Sequence, residues 1–135
     1  MTKLTFTETQ ELINKYDIGY IYIVRVDEYI KIGISNMPEQ RITLIRSDNP
    51  KRLEEILVIK IPLKYDTEQL IHSLLKKAGW HVRGEWFEYR KGWLDEVIDI
   101  LFMHLSKNKK HIRAEGLNSQ FTDSLRQLRE YLKQK

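Results

Sequence analysis

The chain is 135 residues long, with 41% hydrophobic and 31% charged residues, a formal net charge of +4 and no cysteine. That length suits one domain able to bury roughly two-thirds of its unfolded surface, and the composition excludes disordered and fibrous classes. The missing cysteines exclude disulfides, thiol nucleophiles and thiolate-bound zinc, so any chemistry falls to carboxylates, His, Tyr, Lys and Arg. No apolar run approaches the ~20 residues of a bilayer span. The N-terminal MTKLTFTETQ lacks the apolar stretch of a signal peptide, so the expected location is cytoplasmic and no membrane partner is expected.

Thr7 and Gln10 have capping-box spacing, and Leu12, Ile13 and Tyr16 recur at helical intervals, predicting a helix over 8–16 that Gly19 stops. Tyr20–Val26 and Tyr29–Ile34, rich in β-branched and aromatic residues across a short polar break, predict an antiparallel hairpin. Their near-continuous apolarity implies burial on both faces. Ser35–Glu39 opens a second helix, with Ile42 and Ile45 inward and a stop at Asp48-Asn49-Pro50. Ile56–Ile61 reads as a third strand. Asp66 or Thr67 then caps a helix through about Lys77, with Leu70, Ile71, Leu74 and Leu75 inward. Trp80–Phe87 reads as irregular, and Trp93–Leu105 as an amphipathic helix. A polar joint over Ser106–Asn118 leads to a last helix carrying the apolar stripe Phe121, Leu125, Leu128 and Leu132.

This order predicts an α+β fold: a small three-stranded antiparallel sheet flanked by helices, plus a C-terminal helical extension. The expected division is a core over 1–106 and a basic linker and helix over 107–135. Charge follows the same division. Residues 107–135 hold eight basic and three acidic side chains, a balance of +5, which leaves −1 on 1–106. A cationic extension favours a polyanion such as DNA, with Arg46, Lys107, Lys109, Lys110 and Arg113 as candidate backbone contacts. The final stripe suits docking on the core or pairing with a second copy as a homodimer.

Five short motifs fall in order along the core: Gly19-Tyr-Ile-Tyr22, Lys31-Ile-Gly33, Arg41, Glu68-Gln-Leu-Ile-His72 and Gly84-Glu-Trp-Phe87. Together they resemble the GIY-YIG nuclease superfamily, and more closely its branch described from phage and fungal open reading frames. The resemblance spans about residues 19–90. It implies a metal-dependent DNA endonuclease or nickase with Tyr22, Lys31, Arg41 and Glu68 as catalytic residues. Glu68 would anchor one Mg²⁺ or Mn²⁺, a hard cation that takes oxygen ligands and keeps several waters. Arg41 would fork onto the scissile phosphate. Tyr22 would orient or deprotonate the attacking water, the latter needing a neighbouring cation to favour phenolate. His72 and Glu85 would support Glu68 or the metal.

Three departures bear on activity. Lys31, a residue usual in the closer branch, stands where the wider superfamily has a tyrosine; Ile45 stands where many members carry a polar residue one turn after the arginine; and an expected asparagine is replaced by Trp80. The alternative reading is therefore an inactive nucleic-acid-binding or protein-interaction module on the same fold. His104 and His111 show no ligand spacing and read as surface residues. Neither a phosphate-binding glycine loop nor a Gly-x-Ser-x-Gly elbow is present.

Overall fold

The computed structural model describes residues 4–114 and 121–134. The elements run α1 (Phe6–Lys15), β1 (Gly19–Val26), β2 (Tyr29–Ser35), α2 (Pro38–Asp48), β3 (Leu53–Ile61), α3 (Lys64–Lys77), β4 (His81–Arg83), β5 (Trp86–Glu88), α4 (Lys91–Ala114) and α5 (Thr122–Lys133). Among the described residues the sheet has five strands, not three, in the order β3-β1-β2-β5-β4, and all its pairings are antiparallel. The two extra strands come from the segment expected to be irregular. Each is three residues long, too short for alternation to register in sequence, and Gly84 turns between them at φ +56°.

The sheet separates two apolar layers. On one face Tyr22, Val24 and Val26 of β1 pack against Ile42 and Ile45 of α2 and Leu53 of β3. The other face carries Ile21, Ile23, Ile30 and Ile32 under α3, α4 and α5. β1 lies between β3 and β2, and alternate residues feed opposite layers, which explains its continuous apolarity.

Several boundaries differ from those expected. α1 is capped by Thr5, not Thr7: the Glu8 amide donates to Thr5 Oγ1 at 3.1 Å and the Thr5 amide to Glu8 Oε1 at 3.4 Å. It ends at Lys15, the chain turns away through Asp17 in the left-handed region at φ +49°, and Gly19 begins a strand and stops no helix. α3 begins at Lys64, earlier than Asp66 or Thr67, because its cap comes from far along the chain. Asp17 accepts the Tyr65 amide at 3.0 Å through Oδ2 and pairs with Lys64 through Oδ1. α3 is also rotated from expectation. Thr67, Glu68, Ile71, His72 and Leu75 face inward, whereas Leu70 and Leu74 are exposed.

α4 starts at Lys91 and continues helically to Ala114 through most of the expected polar joint. Residues 115–118 of that joint, and the side chains of Lys109, Lys110, His111 and Arg113, lie outside the described residues. α5 packs on β3 and α4, with Phe121, Leu125 and Leu128 buried in the same layer as the sheet residues. Ser124 Oγ donates to the Lys60 carbonyl at 2.7 Å. His104 is half-buried, not superficial: its Nε2 lies 2.9 Å from the Pro62 carbonyl, fixing the start of α3 to α4. Among the described residues no helix is long and apolar enough to cross a membrane.

Candidate active site

The site forms where β2 outruns its neighbour. β5 pairs with Tyr29, Ile30 and Lys31, so among the described residues the outward edge of Ile32–Ile34 meets no strand. Buried backbone polar groups there need partners, and the surrounding elements supply them. The Ile32 amide donates to the Glu85 carbonyl at 3.2 Å, and the Ile32 carbonyl accepts from His72 Nε2 at 2.8 Å. The Ile34 amide donates to the Glu68 carboxylate. An interrupted ladder thus draws Glu68 and His72 of α3 and Glu85 of the β4–β5 turn to one place.

From the other strand comes Tyr22, 1% exposed and directly opposite Gly33. A Cβ on Gly33 would fall 2.5 Å from Tyr22 Cζ, closer still to its hydroxyl oxygen, and 2.8 Å from Glu85 Oε2. Gly33 is thus the floor on which phenol and carboxylate meet. Arg41, on the exposed side of α2, donates a hydrogen bond to the Tyr22 hydroxyl. Lys31 Nζ lies 3.7 Å from Glu85 Oε2 and 5.4 Å from the centroid of the Trp86 ring.

Burial pushes the Tyr22 hydroxyl above the ordinary phenol range; Arg41 opposes the shift, and the charges of Glu85 and Glu68 add to it. At neutral pH the side chain is a phenol, so the neighbouring cation does not produce the phenolate that deprotonating a water requires. Burial and then the charge of Glu85 hold the Glu68 carboxyl above the usual carboxylate range, despite bonds from the Gln69 amide and Ile34 N–H. Burial lowers His72, so its ring is neutral; because a carbonyl only accepts, Nε2 carries the proton. Among the described residues the Oε2 atoms of Glu68 and Glu85 are buried and have no hydrogen-bond partner. A buried carboxylate oxygen without a hydrogen bond favours a nearby positive charge, which Lys31 supplies to Glu85 at 3.7 Å.

Of the residues singled out in the sequence, Tyr22, Lys31, Arg41, Glu68 and Glu85 converge here, with His72 bracing the adjacent strand edge. Arg46 does not join them. It pairs with Glu55 at 3.7 Å, in a shallow depression that also contains Arg25 and Arg52. Lys107 is exposed on α4. Sequence reasoning missed Gln69 and the Ile34 amide, which hold Glu68 in place. A backbone donor leaves no trace in residue identity, and Gln69 sits inside a motif at an unrestricted position. Among the described residues no three His, Asp or Glu side chains form a metal cage.

No curated protein and no solved structure matches the chain. The profile of the T5orf172 domain, a phage-associated domain related to GIY-YIG-like and homing-endonuclease-type nucleases, matches residues 19–102. That span runs from the first residue of β1 into α4 and includes every residue that converges on Gly33. The chain belongs to the T5orf172 domain family.

Proposed function

We propose that this protein hydrolyses phosphodiester bonds in DNA, nicking one strand at a time with a GIY-YIG-type site. The observation that supports this reading is the convergence on Gly33 of a buried phenol, a guanidinium, an ammonium and two carboxylates. The Arg41 guanidinium forks onto two phosphoryl oxygens, and Lys31 adds a second positive charge beside them. Tyr22, a phenol at neutral pH, donates to or orients the attacking water and keeps Arg41 pointed at the phosphate. His72, neutral and bonded to Ile32, fixes the β2 edge from which Glu68 is held.

The donor set fits one Mg²⁺ or Mn²⁺. Glu68 and Glu85 each offer a buried Oε2 atom that accepts no hydrogen bond among the described residues, Glu85 being shared with the Lys31 ammonium, and such ions accept few protein ligands and retain water. When bound, the ion would neutralise charge on the phosphoryl and leaving oxygens. Substrate affinity beyond the site comes from the basic segment 107–135, with Lys107, Lys109, Lys110 and Arg113 on phosphates, which carry little sequence information.

Conversion of supercoiled plasmid to its nicked form, followed with Mg²⁺, Mn²⁺ or EDTA, tests the reading. Wild type nicks only with metal, and Glu68→Ala and Arg41→Ala each lose at least about a hundredfold in rate. DNA binding without cleavage under every metal would replace this reading with that of a binding module.

A further inference from the structure

The sheet face that carries Tyr22 continues past the site. One strand spacing from Lys31, Trp86 borders a concavity of about 260 Å³ lined by Val26, Tyr29, Asn49, Val82, Arg83 and Trp86. Tyr29 is 43% and Val82 49% exposed, so aromatic and apolar surface is left open to solvent. It is flanked by cations: Arg83 forms part of the wall, and Lys31 Nζ lies 5.4 Å from the Trp86 ring centroid. Lys31 belongs equally to the candidate site through Glu85.

We infer that this concavity is a stacking subsite for one unpaired nucleobase of the bound strand, an inference that rests on the nucleic-acid reading above. A nucleotide presents a flat apolar face bonded to a charged phosphate. The wall matches both parts, with aromatic rings for the base and cations for its backbone. The spacing suits neighbouring nucleotides. From Gly33 to Lys31 is roughly 7 Å along β2, and from Lys31 to Trp86 is one strand separation of about 4.8 Å. A phosphate held by Arg41 and Lys31 therefore leaves an adjoining base within reach of Trp86. A base inside an intact duplex is stacked on both sides and cannot enter. The subsite accordingly selects single-stranded, gapped or frayed DNA over continuous duplex.

The test is equilibrium binding by the full chain in EDTA, where cleavage cannot interfere. The probes are a mixed-sequence single-stranded oligonucleotide and the same sequence fully paired. Tyr29→Ala is the main variant, because the exposed side chain can be removed without opening the core; Trp86→Leu is the second. Each variant is expected to lose about fivefold or more in single-strand affinity, with duplex affinity changed less than about twofold. The proposal is overturned if folded Tyr29→Ala, with an unchanged melting temperature, binds the single strand as wild type does. Equal losses on both probes, or no single-strand binding by wild type, also overturn it. Failure of the nuclease reading is seen separately, as intact plasmid beside an undiminished difference between the two probes.

Discussion

The Tyr22 phenol occupies the volume that a side chain on Gly33 would need. The two residues are cross-strand partners, and a Cβ on Gly33 would lie 2.5 Å from Tyr22 Cζ and 2.8 Å from Glu85 Oε2. The ring is rigid and 1% exposed, so it cannot swing aside cheaply. Gly33→Ala is therefore expected to cost about 1–3 kcal/mol by overpacking and to separate Tyr22 from Glu85. Urea denaturation reads the first effect and plasmid nicking the second. An alanine variant that matches wild type in both would show that the close approach has no consequence.

The buried Glu68 carboxyl links pH to stability. Its pKa is held above the ordinary value of 4.5, so the folded state retains the proton more tightly than the unfolded state. The associated stability is present below the unfolded value and disappears as pH rises through the folded value. Glu68→Gln imitates the protonated acid at every pH. In EDTA its melting temperature should exceed that of wild type by a margin that widens from about pH 4 to about pH 7. With millimolar Mg²⁺ wild type should gain stability by mass action and the variant should not. A Mg²⁺-induced rise of equal size in both proteins would remove Glu68 from the cation site.

His72 has the opposite sign. Burial lowers it below 6.5, so as pH falls through 6.5 the unfolded chain takes up a proton that the folded chain refuses. Its contribution to stability is complete above about pH 6.5 and declines toward the lowered folded value. Denaturation curves for wild type should therefore fall more steeply between about pH 6.5 and pH 5 than those for His72→Gln. Parallel curves would mean that the ring does not sit neutral against Ile32.

Leu128 is fully buried in the layer it shares with α4 and β3. Leu128→Ala should cost about 2–5 kcal/mol, as for a core leucine, and should lower stability as one cooperative transition. A separate early transition that leaves the rest intact would identify α5 as a detachable appendage.

The helices and long strands were legible because they carry period or run length. Ile42 and Ile45 mark α2, and Tyr20–Val26 reads as a buried strand. The β4–β5 hairpin was not legible, since three-residue strands show no alternation. The start of α3 was misplaced for a different reason: its capping carboxylate, Asp17, lies 48 residues from the amide it accepts. Leu70 and Leu74 misled because the inward stripe of α3 is interrupted by polar residues. Glu68 and His72 occupy inward positions that an apolar pattern assigns to leucine.

By itself the sequence determined a cysteine-free α+β chain with central strands buried on both faces, and a set of motif residues whose types suit phosphate and a hard cation. Tertiary structure decided how those residues meet. β5 pairs with β2 only as far as Lys31, and the edge of Ile32–Ile34 left beyond it recruits Glu68, His72 and Glu85. The Gly33 floor admits Tyr22. The physical reason is that backbone hydrogen-bond demand and excluded volume act between residues distant in the chain, where no local pattern records them.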